Sequence, residues 1–284
     1  MRILLTGAGG QLAHDLKASL GGETLVALTR AELDITDAPA VRAALVRHRP
    51  DCLINAAAYN RVDDAEAEPA AAFAANAGGV ENLARAAANA GAVLVHFSTD
   101  YVFDGAKRAP YIETDAPNPL SLYARSKRAG EEAVQRRCEK HFLIRTCGLY
   151  GAAGSRSKGG NFVERMLRLA AEGKPLRVVN DQVLTPTSTR DLAEKLLPLL
   201  RTRRYGLYHM TNTGECSWYD FAREIFRLAG APAELEPVST AAFAARARRP
   251  PYSVLDNAAY RAAGFADFRP WQEALADYLK QRRV

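Results

Sequence analysis

Cysteine is scarce in this chain: four residues in 284, at Cys52, Cys138, Cys147 and Cys216, widely spaced and never in a C-x-x-C pair. Without clustered histidines beside them they support neither structural zinc nor a disulfide framework, and they point to reduced thiols in the cytoplasm. Long apolar runs are also missing, so nothing in the sequence is suited to span a bilayer. The first residues, Met1-Arg2-Ile3-Leu4-Leu5-Thr6-Gly7, pass from a few apolar positions straight into a glycine turn. A signal peptide needs a longer apolar stretch and a small-residue cleavage site, so export is not expected. No basic block accompanies the net charge of +6. The arginines are scattered along helices, which suits solubility and attraction for a small phosphorylated ligand better than nucleic acid.

What is present is an ordinary globular composition, 48% hydrophobic and 25% charged. The first half alternates short apolar runs with helical stretches. The runs are Arg2–Thr6, Thr24–Leu28, Cys52–Asn55 and 93–98; residues 11–20, 38–47 and the alanine-rich 70–90 lie between them. Strands alternating with helices predict an α/β fold with a doubly wound parallel sheet of Rossmann type, covered on both faces. Residues 143–146 and Leu176–Val179 read as further strands of that sheet. Residues 1–150 are therefore predicted to form a dinucleotide-binding domain, its sheet completed by part of 174–200. Residues 151–284 are predicted to form mainly a smaller substrate-binding lobe, built from 206–211, Trp218–Ala229, 240–247 and 270–282. The glycine-rich stretch 151–160 reads as a mobile loop. The active site is expected between the lobes.

Thr6-Gly7-Ala8-Gly9-Gly10-Gln11-Leu12-Ala13 follows the first strand and opens the first helix. Glycine allows the tight turn and close approach to a pyrophosphate, while the helix start offers N–H groups. Gly7, Gly10, Gln11 and Leu12 are thus candidate cofactor contacts. The second strand ends in Thr29-Arg30 rather than an acid. Arg30 suits the extra phosphate of NADP, and it serves equally well as a solvated charge, so NADPH is favoured with NADH left open. Asp34 and Ile35 are placed on the adenine side. Ala57, Ala58 and Tyr59, after the third strand, are placed against the nicotinamide ribose, with a plain buried alanine run as the alternative.

The fourth strand ends in Ser98-Thr99-Asp100-Tyr101, and Ser121-Leu122-Tyr123-Ala124-Arg125-Ser126-Lys127 contains a Tyr-x-x-x-Lys pair. On a helix, positions four apart share a face, so Tyr123 and Lys127 stand side by side. Ketone reduction needs a hydride at carbon and a proton at oxygen. A phenol supplies the proton, a neighbouring ammonium lowers its pKa, and Thr99 polarises the carbonyl. Lys127 also suits the nicotinamide ribose. His96 and His209 lie inside apolar strand patterns and read as structural histidines.

With GAGGQL at the start, NAAA at 55–58, VDDAEAEP at 62–69, STDYVFDG at 98–105, PLSLYARSKRAGE at 119–131 and NDQVLTPT at 180–187, the chain resembles the extended short-chain dehydrogenase/reductase family. More narrowly it resembles the dTDP-4-dehydrorhamnose reductase family. Asn161-Phe162, ARRP at 247–250 and Pro270-Trp271-Gln272 extend the likeness nearly end to end. The resemblance implies reduction of the 4-keto group of a dTDP-6-deoxy-4-keto-hexose, dTDP-4-dehydrorhamnose to dTDP-rhamnose, by hydride transfer from NADPH or NADH. It implies Tyr123 as proton donor, Lys127 as its partner and Thr99 as the carbonyl-orienting hydroxyl. Thr99, Asp100, Tyr123 and Asn161 would contact the substrate. A monomer or homodimer is implied. Asp15 matches the first of the glutamates by which some members bind Mg²⁺, but no partners for it stand out, and no metal is expected.

Tyr101 stands where related sugar-nucleotide dehydratases carry a glutamate, which disfavours dehydration. Three departures fall where substrate should sit: Cys147-Gly148 for the family's Ser-Trp, Val183-Leu184 for Phe-Gly, and a longer 151–160 loop. They leave a different 4-keto sugar open. Two other readings remain: a nucleotide-sugar epimerase using the same Tyr/Lys pair, and a non-catalytic dinucleotide-binding regulatory subunit.

Overall fold

The computed structural model describes residues 1–154, 159–173 and 175–282. The loop expected over 151–160 falls partly on residues 155–158, outside that set. The chain opens with β1 (Arg2–Thr6), α1 (Gln11–Ser19), β2 (Thr24–Leu28), α2 (Ala38–His48) and β3 (Cys52–Asn55). There follow α3 (Pro69–Phe73), a π-helical turn (Ala74–Gly78), α4 (Gly79–Ala90), β4 (Val93–Thr99), α5 (Leu122–Arg137) and β5 (His141–Thr146). Next come β6 (Leu149–Tyr150), α6 (Phe162–Ala171), β7 (Leu176–Val179), β8 (Val183–Leu184), β9 (Thr187–Ser188), α7 (Thr189–Leu200) and β10 (Gly206–His209). The last stretch holds β11 (Cys216–Ser217), α8 (Trp218–Ala229), β12 (Leu235–Val238), α9 (Thr240–Phe243), α10 (Ala258–Ala262) and α11 (Trp271–Arg282).

Six strands form one parallel sheet in the order β2-β1-β3-β4-β5-β10. Alternation along the strands explains why it is covered twice. Ile3, Leu5, Cys52, Ile54, Val95 and Phe97 point to one face, where Leu12 and Leu16 of α1 and Leu192, Leu196 and Leu199 of α7 complete a core. The intervening Leu4, Leu53 and Leu94 point to the other, against Val41 and Leu45 of α2, Leu83 and Ala87 of α4, and Val134 of α5. From β1 the chain moves out to β2, then crosses back to β3 on the opposite side of β1. This reversal opens a crevice at the carboxyl ends of β1 and β3, where open α/β sheets bind ligands.

One expected strand lies elsewhere. Leu176–Val179 does not complete this sheet; it pairs in parallel with β12 as a separate ribbon. Leu176 and Val178 instead pack with Val163, Phe221, Ile225, Trp271 and Leu275 in the core of a second lobe. The sixth strand of the main sheet is β10, which had been assigned to the smaller lobe, and its Tyr208 joins the first core. A short run of four residues carries no mark of its partner strand. The residues after 150 therefore do not all leave the first lobe, since α7, β10 and α10 pack onto its sheet.

Candidate active site

At the cofactor end, Gly7 adopts φ +71°, and a Cβ there would stand 2.5 Å from the Ala57 backbone nitrogen. Only glycine permits the β1 turn to lie so close to the end of β3. Thr6 Oγ1 donates to Asn55 Oδ1 at 2.8 Å, and the same oxygen accepts the Ala57 N–H at 3.1 Å. That assignment leaves the Asn55 amide to donate to His96 Nδ1 at 3.0 Å, tying the ends of β1, β3 and β4 together. His96 is fully buried, and burial, with the charge of Lys127, holds it neutral. His209 is likewise buried, its pKa pushed down to about 3 mainly by burial. Both behave as structural histidines.

Gly10 caps α1 with no side-chain hydrogen bond, so the first amides of that helix keep their donors. Gln11 Oε1 is buried there without a partner. Open amides and an unsatisfied polar atom beside the Gly7 crevice fit a dinucleotide pyrophosphate. Leu12 turns its side chain into the α1–α7 core. Arg30 is exposed past the end of β2, donating to Asp34 at 3.2 Å. Asp34 lies below the usual carboxylate range, first through the Thr36 backbone N–H and hydroxyl, then through Arg30. Ile35, expected on the adenine side, buries its side chain against Gly79 at the start of α4. Ala58 is exposed, whereas Tyr59 donates its N–H to Asn76 and its hydroxyl to Glu68.

The catalytic candidates converge at the end of β4. Ser121 caps α5 by accepting the Ala124 N–H at 3.2 Å, which fixes where the helix begins and which face Tyr123 and Lys127 present. Tyr123 is hydrogen-bonded to Thr99, and its ring meets Tyr101 edge-on at 6.3 Å between centroids. Lys127 is buried and donates to the Phe97 carbonyl at 2.6 Å. Burial lowers its pKa to about 8, with Glu131 opposing. The anticipated lowering of the Tyr123 pKa is not found. Burial raises it, Thr99 opposes, and the Lys127 ammonium is spent on Phe97. A phenol so placed keeps its proton at neutral pH, as a proton donor must.

Asp100 and Asn161, expected as substrate contacts, are both engaged within the fold. Asp100 is 3% exposed, with Oδ1 facing Thr99 at 3.0 Å and Oδ2 accepting from Cys147 Sγ at 2.9 Å. Asn161 caps α6 by accepting the Glu164 N–H, and its amide donates to Gly151 and Tyr278. Both amide hydrogens are consumed by the fold. Asp15 bonds the Thr189 hydroxyl, and no group of three metal-ligating side chains occurs among the described residues.

Two of the departures expected to lie beside the substrate meet in space. Gly148 sits at φ +54°, and a Cβ there would stand 2.9 Å from Leu184 Cδ1 and 3.2 Å from Pro186 Cα. Leu184 therefore fills the space against Gly148, and the two departures from the family pattern belong together. Cys147 is floor rather than wall, fully buried beneath Asp100.

Sequence reasoning missed several supporting residues. Glu131, one further turn along the Tyr123–Lys127 face, is fully buried in a two-pronged ion pair with Arg145 at 2.8 and 2.9 Å. The i, i+4, i+8 spacing was the available signal. Asn76, in the π-helical turn, joins Tyr59 to Ser126 of α5; a lone asparagine among alanines gave little warning. Ser253, which hydrogen-bonds Asp100 from far along the chain, gave none.

The chain is similar to several known proteins. A dTDP-4-dehydrorhamnose reductase of Streptomyces griseus is 45% identical, the match covering 97% of this chain and 92% of that protein. A dTDP-4-keto-6-deoxy-D-glucose reductase of Streptomyces niveus is 44% identical, covering 96% and 95%. The crystal structure of dTDP-4-dehydrorhamnose reductase from Bacillus anthracis in complex with NADP superposes with a TM-score of 0.95 at 39% identity, covering 99% of each chain. The family model of the RmlD substrate binding domain matches residues 1–284, and the chain belongs to that family.

Proposed function

We propose that this protein is an NAD(P)H-dependent oxidoreductase that reduces the 4-keto group of a dTDP-6-deoxy-4-keto-hexose, dTDP-4-dehydrorhamnose to dTDP-rhamnose. The observation that carries the reading is the convergence of Thr99, Tyr123 and Lys127 at the end of β4, on the same sheet edge as the Gly7–Ala57 crevice. The named reductases among its relatives support it.

Bound nicotinamide would supply the hydride. Gly7, Gly10, Gln11 and Leu12 would hold the pyrophosphate through backbone and helix start, and exposed Arg30 would take the NADP phosphate. Ala57, Ala58 and Tyr59 would line the nicotinamide side, and Asp34 would flank the adenosine. Tyr123 donates its proton to the ketone oxygen as carbon accepts the hydride, and Thr99 stabilises the charge developing on that oxygen. Lys127 then stands beside the phenolate left on Tyr123. The first lobe would serve the dinucleotide and the second the sugar nucleotide.

Four buried cysteines without disulfides suit a cytoplasmic protein, acting as monomer or homodimer. Among the described residues no helix is long and apolar enough to cross a membrane. The test is NADPH and NADH oxidation by purified protein against a panel of dTDP-4-keto sugars. Turnover of the rhamnose precursor is the expected result. Tightly retained NAD⁺ without net oxidation of added NADPH would instead indicate an epimerase.

A further inference from the structure

Asp100 is a buried carboxyl with no ion pair among the described residues, and its side-chain partners are hydroxyls and a thiol, with its own backbone N–H beside them. Thr99 faces it from the same turn, Cys147 from the segment after β5, Ser253 from the segment before α10, and Tyr123 from α5. Arg249, the cation that acts on neighbouring Tyr101, is engaged by Asp63 at 2.6 Å and by Tyr101. A hydroxyl has one proton and two lone pairs. One lone pair of Thr99 takes the Tyr101 N–H at 3.2 Å. Against an ionised Asp100 the single Thr99 proton must point to Oδ1, away from any substrate, because a carboxylate only accepts. If Asp100 carries a proton the bond reverses: both lone pairs of Thr99 are filled, and its own proton is released from Asp100, free to point to the Tyr123 oxygen or to turn to a ketone oxygen beside it.

We propose that Asp100 acts in its neutral, protonated form as the positioning acid that turns the Thr99 hydroxyl toward the substrate ketone, opposed by the Cys147 thiol, which donates to the carboxylate. This deepens, and rests on, the reductase reading. No proton leaves Asp100 in the reaction; the alkoxide takes its proton from Tyr123. Burial favours the neutral acid, while hydrogen bonds from Cys147, Ser253 and Thr99 favour the anion. The Cys147 side chain is thus placed to set the balance without touching substrate.

The experiment compares wild type with Cys147→Ser and Cys147→Ala by two readouts. One is the pH profile of kcat/KM for NADPH-dependent keto-sugar reduction. The other is an infrared titration of the buried carboxylic acid band, assigned by its loss in Asp100→Asn. Activity is expected to fall with rising pH along the same curve as the band. A serine hydroxyl is the stronger donor and stabilises the anion, so Cys147→Ser moves both curves to lower pH by about one unit, tenfold in activity on the falling limb. Cys147→Ala removes the donor and moves both upward. A limb near the Lys127 value, being set by another group, does not respond to Cys147. The proposal is overturned if Asp100→Asn removes no carboxylic acid band, or if the band moves in the Cys147 variants while the activity curve stays put. A titrating band in a wild-type protein that reduces no keto sugar overturns the reductase reading itself, and the Thr99 role with it.

Discussion

Gly7 and Ala57 touch backbone to backbone: the Gly7 Cα faces the Ala57 amide so closely that a methyl group would stand 2.5 Å from its nitrogen. The contact joins the turn after β1 to the end of β3, across the point where the sheet reverses its winding. Gly7→Ala should therefore strain a left-handed φ and also push the two strand ends apart, at a cost of about 1–3 kcal/mol. Thermal unfolding and dinucleotide titration by fluorescence should both show loss. Unchanged cofactor affinity would remove this crevice from the cofactor site.

Tyr123→Phe should bind NADPH normally and lose about 10²–10⁴-fold in ketone reduction, since only the proton donor goes. The ring contact with Tyr101 is retained in the variant, so its unfolding temperature should stay near that of wild type. Single-turnover kinetics is the measurement, and near-native turnover would assign the proton to another group.

Lys127, with a pKa near 8 in the folded chain, should lose its ammonium as pH rises through that value. Catalysis that uses this charge should decline there in kcat/KM, which reports the free enzyme. Stability runs the other way. The unfolded side chain titrates at about 10.4, so the unfolded state binds more protons between about 8 and 10.4. Burying the charged lysine is costly below about 8, and that cost is relieved as pH climbs through the window. A flat kcat/KM profile to about pH 9 would show that the charge is not used.

Glu131→Gln removes the carboxylate that Arg145 and Arg128 share while leaving the Arg145 guanidinium buried. The loss should be about 3–5 kcal/mol in chemical denaturation, because an uncompensated buried charge remains. The Lys127 limb should also move to lower pH, since Glu131 holds that ammonium up. Stability within about 0.5 kcal/mol of wild type would show the pair to be dispensable.

Much of this was legible in the chain. Short continuous apolar runs at Ile3-Leu4-Leu5 and Cys52-Leu53-Ile54, alternating with helical stretches, pointed to a parallel sheet covered on both faces, and the observed strands keep those bounds. The Gly7 turn and the Tyr123–Lys127 spacing are local patterns, written in consecutive residues and helical periodicity, so they could be read before any contact was known. Strand partnership was not local. Leu176–Val179 and Gly206–His209 are equally short, four residues each, and only competition between the two cores decided which joined the main sheet.

The Gly7 crevice and the α5 face that carries Tyr123 and Lys127 were thus determined by sequence alone, because glycine geometry and the 3.6-residue turn act over a few neighbouring positions. Tertiary structure decided the ionisation around them. Asp100 reads from sequence as a substrate contact; only the fold brings Cys147 and Ser253, 47 and 153 residues onward, over its carboxyl. Asn161 reads as another, and only the fold brings Tyr278 to it. Desolvation depends on every atom that surrounds a group, and those atoms come from parts of the chain that only folding brings together.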